Sequence, residues 1–133
     1  MPAVQIFSSF KEAIAEGAHN LETDTLKVAL SNSAPSLSYT ALPDIVQIGP
    51  TGGYAAETIA VTSSAQAGGT YSLTLGAVTF TASGAAFNEF RYIILYDETA
   101  SNKLIGFFDY GAGYTLADGQ SFTINAGTWL TNA

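Results

Sequence analysis

The chain has 133 residues, of which 47% are hydrophobic and only 11% charged, with a formal net charge of −7 and no cysteine. That length suits a single domain. Its four basic residues, Lys11, Lys27, Arg91 and Lys103, cannot neutralise a run of phosphates, which argues against nucleic acid and anionic membrane surfaces as partners. The absence of cysteine excludes disulfides and thiolate chemistry.

The N-terminal stretch MPAVQIFSSFKEAIAEG has no basic start followed by an apolar run, so no secretory signal is expected. Synthesis in a reducing cytoplasm is expected. No apolar run approaches the roughly 20 residues of a membrane span. Within SSFKEAIAEG, Ser9 is placed to cap a helix, with Glu12 three residues later as in a capping box. Phe10, Ala13 and Ile14 share a face, and Gly17 is a natural stop. About two turns of helix are marginal alone, so residues 1–20 read as a helical anchor that packs on something larger.

Strand signals follow. LKVALS alternates, with Leu26, Val28 and Leu30 on one face. Residues 34–53 carry three of the four prolines and read as a long irregular connection, a candidate assembly segment. AAETIAVTSS supplies a strand with Ile59 and Val61 inward, AQAGGT a turn, and YSLTLGAVTFTA a strand whose phase slips at Gly76-Ala77. FRYIILYD and KLIGFFDY, separated by ETASN, are apolar on both faces and read as a central hairpin. Tyr92, Ile94 and Tyr96 fall on one face of it and Ile93 and Leu95 on the other, answered by Leu104, Phe108 and Tyr110 from the second strand. Asp118-Gly119 marks a turn before the closing segment, with Phe122, Ile124, Trp129 and Leu130 apolar. About six to eight short strands at this spacing make the fold mainly β: one antiparallel β-sandwich over residues 1–133, with one short N-terminal helix.

Four groups of residues invite chemistry. His19 is the single histidine, but no Gly-x-Ser-x-Gly elbow accompanies it, and a polar residue at a helix end is the simpler account. Asp97, Glu98 and Asn102 offer oxygens to a hard cation, yet at no known calcium-loop spacing, and the same residue types shape hairpin loops. Asp97 and Asp109 close opposite strand segments and invite comparison with a glycosidase pair, without a sugar-stacking tryptophan beside them. GPTGGY lacks the Gly-Lys-Ser/Thr ending of a phosphate loop. No catalytic, metal or cofactor residue is expected, and the chain reads as a non-enzyme. Low charge together with seven tyrosines points to contact surfaces, with Phe7, Phe10, Ile14, Tyr39, Ile48, Tyr54, Tyr114 and Trp129 as candidate interface residues.

TDTLKVALSNS, GGYAAETIAV, RYIILYDETASNKLIGFFDYG and LADGQSFTINAGTWL occur in that order over nearly the whole chain. In this pattern the sequence resembles small virion structural proteins of tailed bacteriophages, a group that includes capsid decoration (cement) and tail-associated proteins. The resemblance implies a β-sandwich, often jelly-roll-like, that oligomerises on the virion surface and carries no catalytic residues. It leads to the expectation of a homo-oligomer, a trimer by preference, bound to the major capsid protein or another virion protein. A tail or baseplate component with a receptor- or glycan-binding face is the alternative.

Overall fold

A computed structural model describes residues 4–132. The chain starts with strand β1 (Gln5–Ile6) and helix α1 (Ser8–Ala15), then runs through β2 (Leu26–Ser31), β3 (Glu57–Ile59), β4 (Val61–Ala67), β5 (Thr70–Leu75), β6 (Val78–Thr81), β7 (Phe90–Asp97), β8 (Lys103–Tyr114), β9 (Ser121–Ile124) and β10 (Gly127–Asn132). All pairings are antiparallel, in a five-stranded sheet of order β1-β8-β7-β2-β3, a three-stranded sheet β10-β5-β4 and a pair β6-β9. The fold is therefore mainly β with antiparallel sheets and one short helix. No helix among the described residues is long and apolar enough to cross a membrane.

One core joins the sheets. Val28, Leu30, Ile93, Leu95, Ile105 and Phe108 from the five-stranded sheet meet Leu73, Leu75, Val78, Phe80, Phe122, Ile124 and Trp129 from the others. The chain changes sheets at Ala60, between β3 and β4, where the Gly76 N–H donates to the Ala60 carbonyl. Gly76 and Ala77 likewise separate β5 from β6, where the alternation slips. Gly68 and Gly69, both at positive φ, make the two-residue turn between β4 and β5.

The two-sided apolar character of β7 and β8 has a specific cause. A second cluster, Phe7, Ala29, Ile45, Ile94, Tyr96, Leu104 and Phe107, lies on the outer face of the five-stranded sheet, with Tyr39, Leu42, Ala56 and Tyr92 packed against it. The proline-rich segment supplies the cover. It leaves the start of β8 through the Ala41–Lys103 bridge and reaches the end of β2 through the Ser31–Gln47 bridge. The Ile48 N–H donates to the Leu30 carbonyl, and Ser31 Oγ donates to the Val46 carbonyl. Tyr54 Oη accepts the Leu30 N–H at 2.9 Å and donates to Gln47 Oε1 at 2.7 Å. Burial pushes its phenol up to about 12, so it keeps the proton it donates.

Three local expectations are corrected. Helix α1 begins two residues early, with Phe7 in place of Ser9 at the cap and no side-chain cap bond; Ser9 Oγ instead donates to the Tyr39 carbonyl, fastening the helix to the cover. In the β7–β8 hairpin Leu95 pairs with Gly106 but Tyr96 with Leu104, so Ile105 is an extra residue. That bulge puts Leu104 and Phe107 on the outer face and Ile105 and Phe108 on the inner one, so Leu104 and Phe108 do not share a face. The strand expected across AAETIAVTSS is two strands in two sheets.

Candidate functional site

The densest group of ionisable side chains is His19, Asp24 and Asp97, and local geometry assembles it. Gly17 ends α1 at φ +78° and turns the chain toward the sheet. Asn20 then closes a tight turn. Its Oδ1 accepts the N–H groups of Glu22 and Thr23, its carbonyl accepts the N–H of Asp24, and its own N–H donates to Asp24 Oδ2. Asp97 ends β7 directly beside this turn. The Glu98 N–H donates to the Thr25 carbonyl and the Thr25 N–H to Thr99 Oγ1, which ties the hairpin loop to the start of β2.

His19 Nδ1 lies 2.9 Å from Asp97 Oδ2, and both side chains are fully inaccessible. Asp97 Oδ1 also accepts the Ala100 N–H. The Phe10 ring packs on the imidazole at 5.0 Å between centroids. His19 Nε2 is buried without a hydrogen-bond partner. Burial first, then the hydrogen bond with Asp24, pushes the Asp97 carboxyl up to about 7. That same hydrogen bond from Asp97 holds Asp24 below the usual carboxylate range. Burial lowers His19, against the opposing pull of the Asp24 charge. Burial thus favours a neutral imidazole and a protonated Asp97 carboxyl beside an ionised Asp24. The group pins residues 17–24 to the end of the β7–β8 hairpin.

A groove of about 780 Å³ runs between α1, residues 17–22 and the end of the three-stranded sheet, lined by Ile6, Phe10, Ile14, Leu21, Tyr71 and Leu130 among others. His19 also lines it, but the ring itself is sealed, so the residue's slight exposure is main chain. A histidine closed off in this way has no contact with a substrate in the groove.

The other acidic candidates separate. Glu98 turns to Lys27 at 2.8 Å, and Asn102 holds a left-handed backbone in the loop at φ 60°. Asp97's actual neighbours are His19 and Asp24. Asp109 stands opposite Tyr92, five residues along β7 from Asp97, which is about 17 Å at strand spacing and too far for a glycosidase pair. Arg91 clasps Asp109 with two bonds of 2.7 and 2.9 Å and holds its carboxyl below the usual range. Of the candidate interface residues, Phe7, Phe10, Ile48, Tyr54 and Trp129 are buried in the chain's own core. These five fill the interior of one chain, because the cover and the helix bring apolar partners to them. Ile14 is exposed, and Tyr39 and Tyr114 are half-buried.

Two surfaces stand out. Strands β4, β5, β6, β9 and β10 contain no Asp, Glu, Lys, Arg or His. Hydroxyls pair across these strands: Thr79 with Thr123 at 2.9 Å, Thr81 with Ser121 at 2.8 Å and Thr74 with Thr128 at 3.2 Å. Strand β4 is an edge, with Thr62, Ser63, Ala65, Gln66 and Ala67 exposed. The second surface is aromatic: Tyr110, 43% exposed, packs against Tyr114 and Phe122 at 5.9 and 5.3 Å between centroids. No family model matches this sequence, and neither the curated proteins nor the solved structures contain a match to it.

Asp24 belongs to none of the groups that the sequence alone marks as candidate chemistry. The signal available for it is Asn20 four residues before an aspartate, a spacing at which an Asx turn returns the second side chain to the first backbone N–H.

Proposed function

We propose that this chain is a non-enzymatic structural component of a tailed-phage particle, a decoration (cement) protein that binds the outer capsid surface as a homo-oligomer and stabilises the shell. The observation that carries the reading is the uncharged layer with its open edge strand. Natural edge strands are ordinarily blunted by charge, proline or brevity, because a free row of N–H and C=O groups templates pairing with another chain. Strand β4 is seven residues long and carries neither charge nor proline. On a chain of net charge −7, this is also the layer through which copies approach one another with least repulsion. A ligand that binds the assembled shell in preference to its free subunits stabilises the shell by mass action. Trimeric closure is the symmetry we favour, since it matches threefold positions on a shell. Sedimentation velocity of the purified chain, followed by co-sedimentation with undecorated expanded capsids, tests the proposal. An oligomer that pellets with capsids is expected; a monomer that stays in the supernatant would rule it out.

The aromatic surface favours a second reading, a tail or baseplate component with a glycan-binding face. Tyr110 and Phe122 line a shallow site of about 300 Å³ together with Thr123 and Asn125, with Tyr114 packed against both rings, and aromatic faces beside small polar groups suit sugar rings. Retention on host-surface glycans that Tyr110→Ala abolishes, with no binding to capsids, would select it over the first.

A further inference from the structure

We propose that His19, Asp24 and Asp97 form a binding site for one first-row divalent cation, zinc fitting best. One donor atom from each side chain lies within 4.8 Å of the others. An imidazole with two carboxylates suits zinc and its neighbours in the row, whereas calcium demands six to eight oxygens. His19 and Asp97 are enclosed while Asp24 is half-buried, so an ion enters past Asp24 and keeps a water on that side. Three protein ligands and one water make a four-coordinate zinc.

The rearrangement required at the buried His19–Asp97 pair is small, and Asp24, at the half-buried turn, closes the remaining distance. Bonds of 2.0–2.1 Å around a tetrahedral centre separate ligand atoms by about 3.3 Å, against 2.9 Å between His19 Nδ1 and Asp97 Oδ2. The imidazole must present a lone pair at Nδ1, with its proton on Nε2. Nε2 has no partner, so moving the proton there breaks no existing bond at that atom. On binding, the ion takes the place of a proton held at the carboxyls, which leaves to solvent, while the single ring proton stays on the imidazole at Nε2, so each of the three ligand atoms presents a lone pair to the metal. This site is independent of the assembly role proposed above, and its test does not require capsids.

His19 is the only histidine, so its ring signals are unambiguous. The purified, chelator-treated chain is titrated with zinc chloride at pH 7.5, following calorimetry, thermal unfolding and the His19 ring resonances. The expected result is one ion per chain, a rise in Tm that chelator reverses, and a shift of the ring resonances. Asp24→Asn, at a half-buried turn position, is expected to keep the native circular dichroism and weaken zinc binding by about tenfold or more. Unmoved Tm and ring resonances at saturating zinc would overturn the site. So would a folded Asp24→Asn chain that binds zinc with unchanged affinity.

Discussion

The five-stranded sheet and the uncharged layer opposite it share one core, yet they finish their outer faces and edges differently. The five-stranded sheet is covered outside by residues 34–53, and it ends in two short strands, β1 and β3, of two and three residues. Ion pairs such as Lys27–Glu98 and Arg91–Asp109 lie on it. The opposite layer has hydroxyl ladders in place of charges and leaves the seven residues of β4 at an edge. The first arrangement suits a face finished within the chain; the second suits a face completed by another molecule. A composition with only 11% charged residues becomes intelligible in this light, because its charge deficit is concentrated in one layer.

The sharpest way to break the comparison is to strip the covered face. Phe107 packs there against Phe7 and Tyr92, at 5.3 and 6.3 Å between ring centroids. Phe107→Ala is expected to cost about 3–5 kcal/mol in denaturant unfolding. A loss well below 1 kcal/mol would mean that the cover does not bury this face. Gly106 sharpens the point at the β1 edge, where an added Cβ would meet the Gln5 carbonyl oxygen at 2.8 Å and Val4 Cγ1 at 2.9 Å. Gly106→Ala should cost about 1–3 kcal/mol as β1 is pushed aside, with amide exchange at Gln5 and Ile6 rising first.

The pinning cluster makes a prediction about pH. Asp97 titrates near 7 in the folded chain, above the usual 3.8, so folding retains a proton that the unfolded chain releases between those values. Its contribution is full below about pH 4 and lost as pH rises through 7. His19 acts in the opposite sense: its folded value is lowered from 6.5, so stability falls as pH drops below 6.5 and the unfolded ring gains a proton. Asp24, also lowered, adds a loss at still lower pH, as it is titrated toward its folded value. Asp97→Asn removes the first contribution and also relaxes Asp24, whose own loss lies below pH 4 and so outside the range compared. The variant should therefore be more destabilised relative to the parent at pH 5 than at pH 8, measured by urea unfolding at both. A difference that grows with pH would refute the protonated assignment. The smallest expected change in stability is on the open layer. Ser63→Lys with Ala65→Lys on exposed β4 positions should alter unfolding by no more than about 0.5 kcal/mol, while abolishing self-association in sedimentation.

What could be read in the sequence was mostly local. The β7–β8 hairpin, the Gly68-Gly69 turn and the slip at Gly76-Ala77 depend on neighbours within a few residues, and strand alternation and turn chemistry record those. The outer cover depends on contacts between Ile45 and strands some 50 residues later, and a two-sided apolar strand looks the same whether a loop, a sheet or another subunit lies over it. The bulge at Ile105 has no composition signal, and it alone reverses the faces of Phe107 and Phe108. The cluster of His19, Asp24 and Asp97 was half legible. Each of its two distant parts is legible in isolation, but 78 residues separate His19 from Asp97 and only the packing of the turn on the hairpin joins them.

If another molecule completes the uncharged layer, as proposed, the free edge of β4 is covered on assembly. Hydrogen–deuterium exchange on the assembled particle, compared with the purified chain at high dilution, tests it most directly. The β4 amides of residues 61–67 that do not pair with β5 should exchange quickly in the dilute chain and be strongly protected in the particle, with the outer face of the five-stranded sheet unchanged. Equal exchange at β4 in both states, with new protection appearing over residues 34–53 instead, would contradict it.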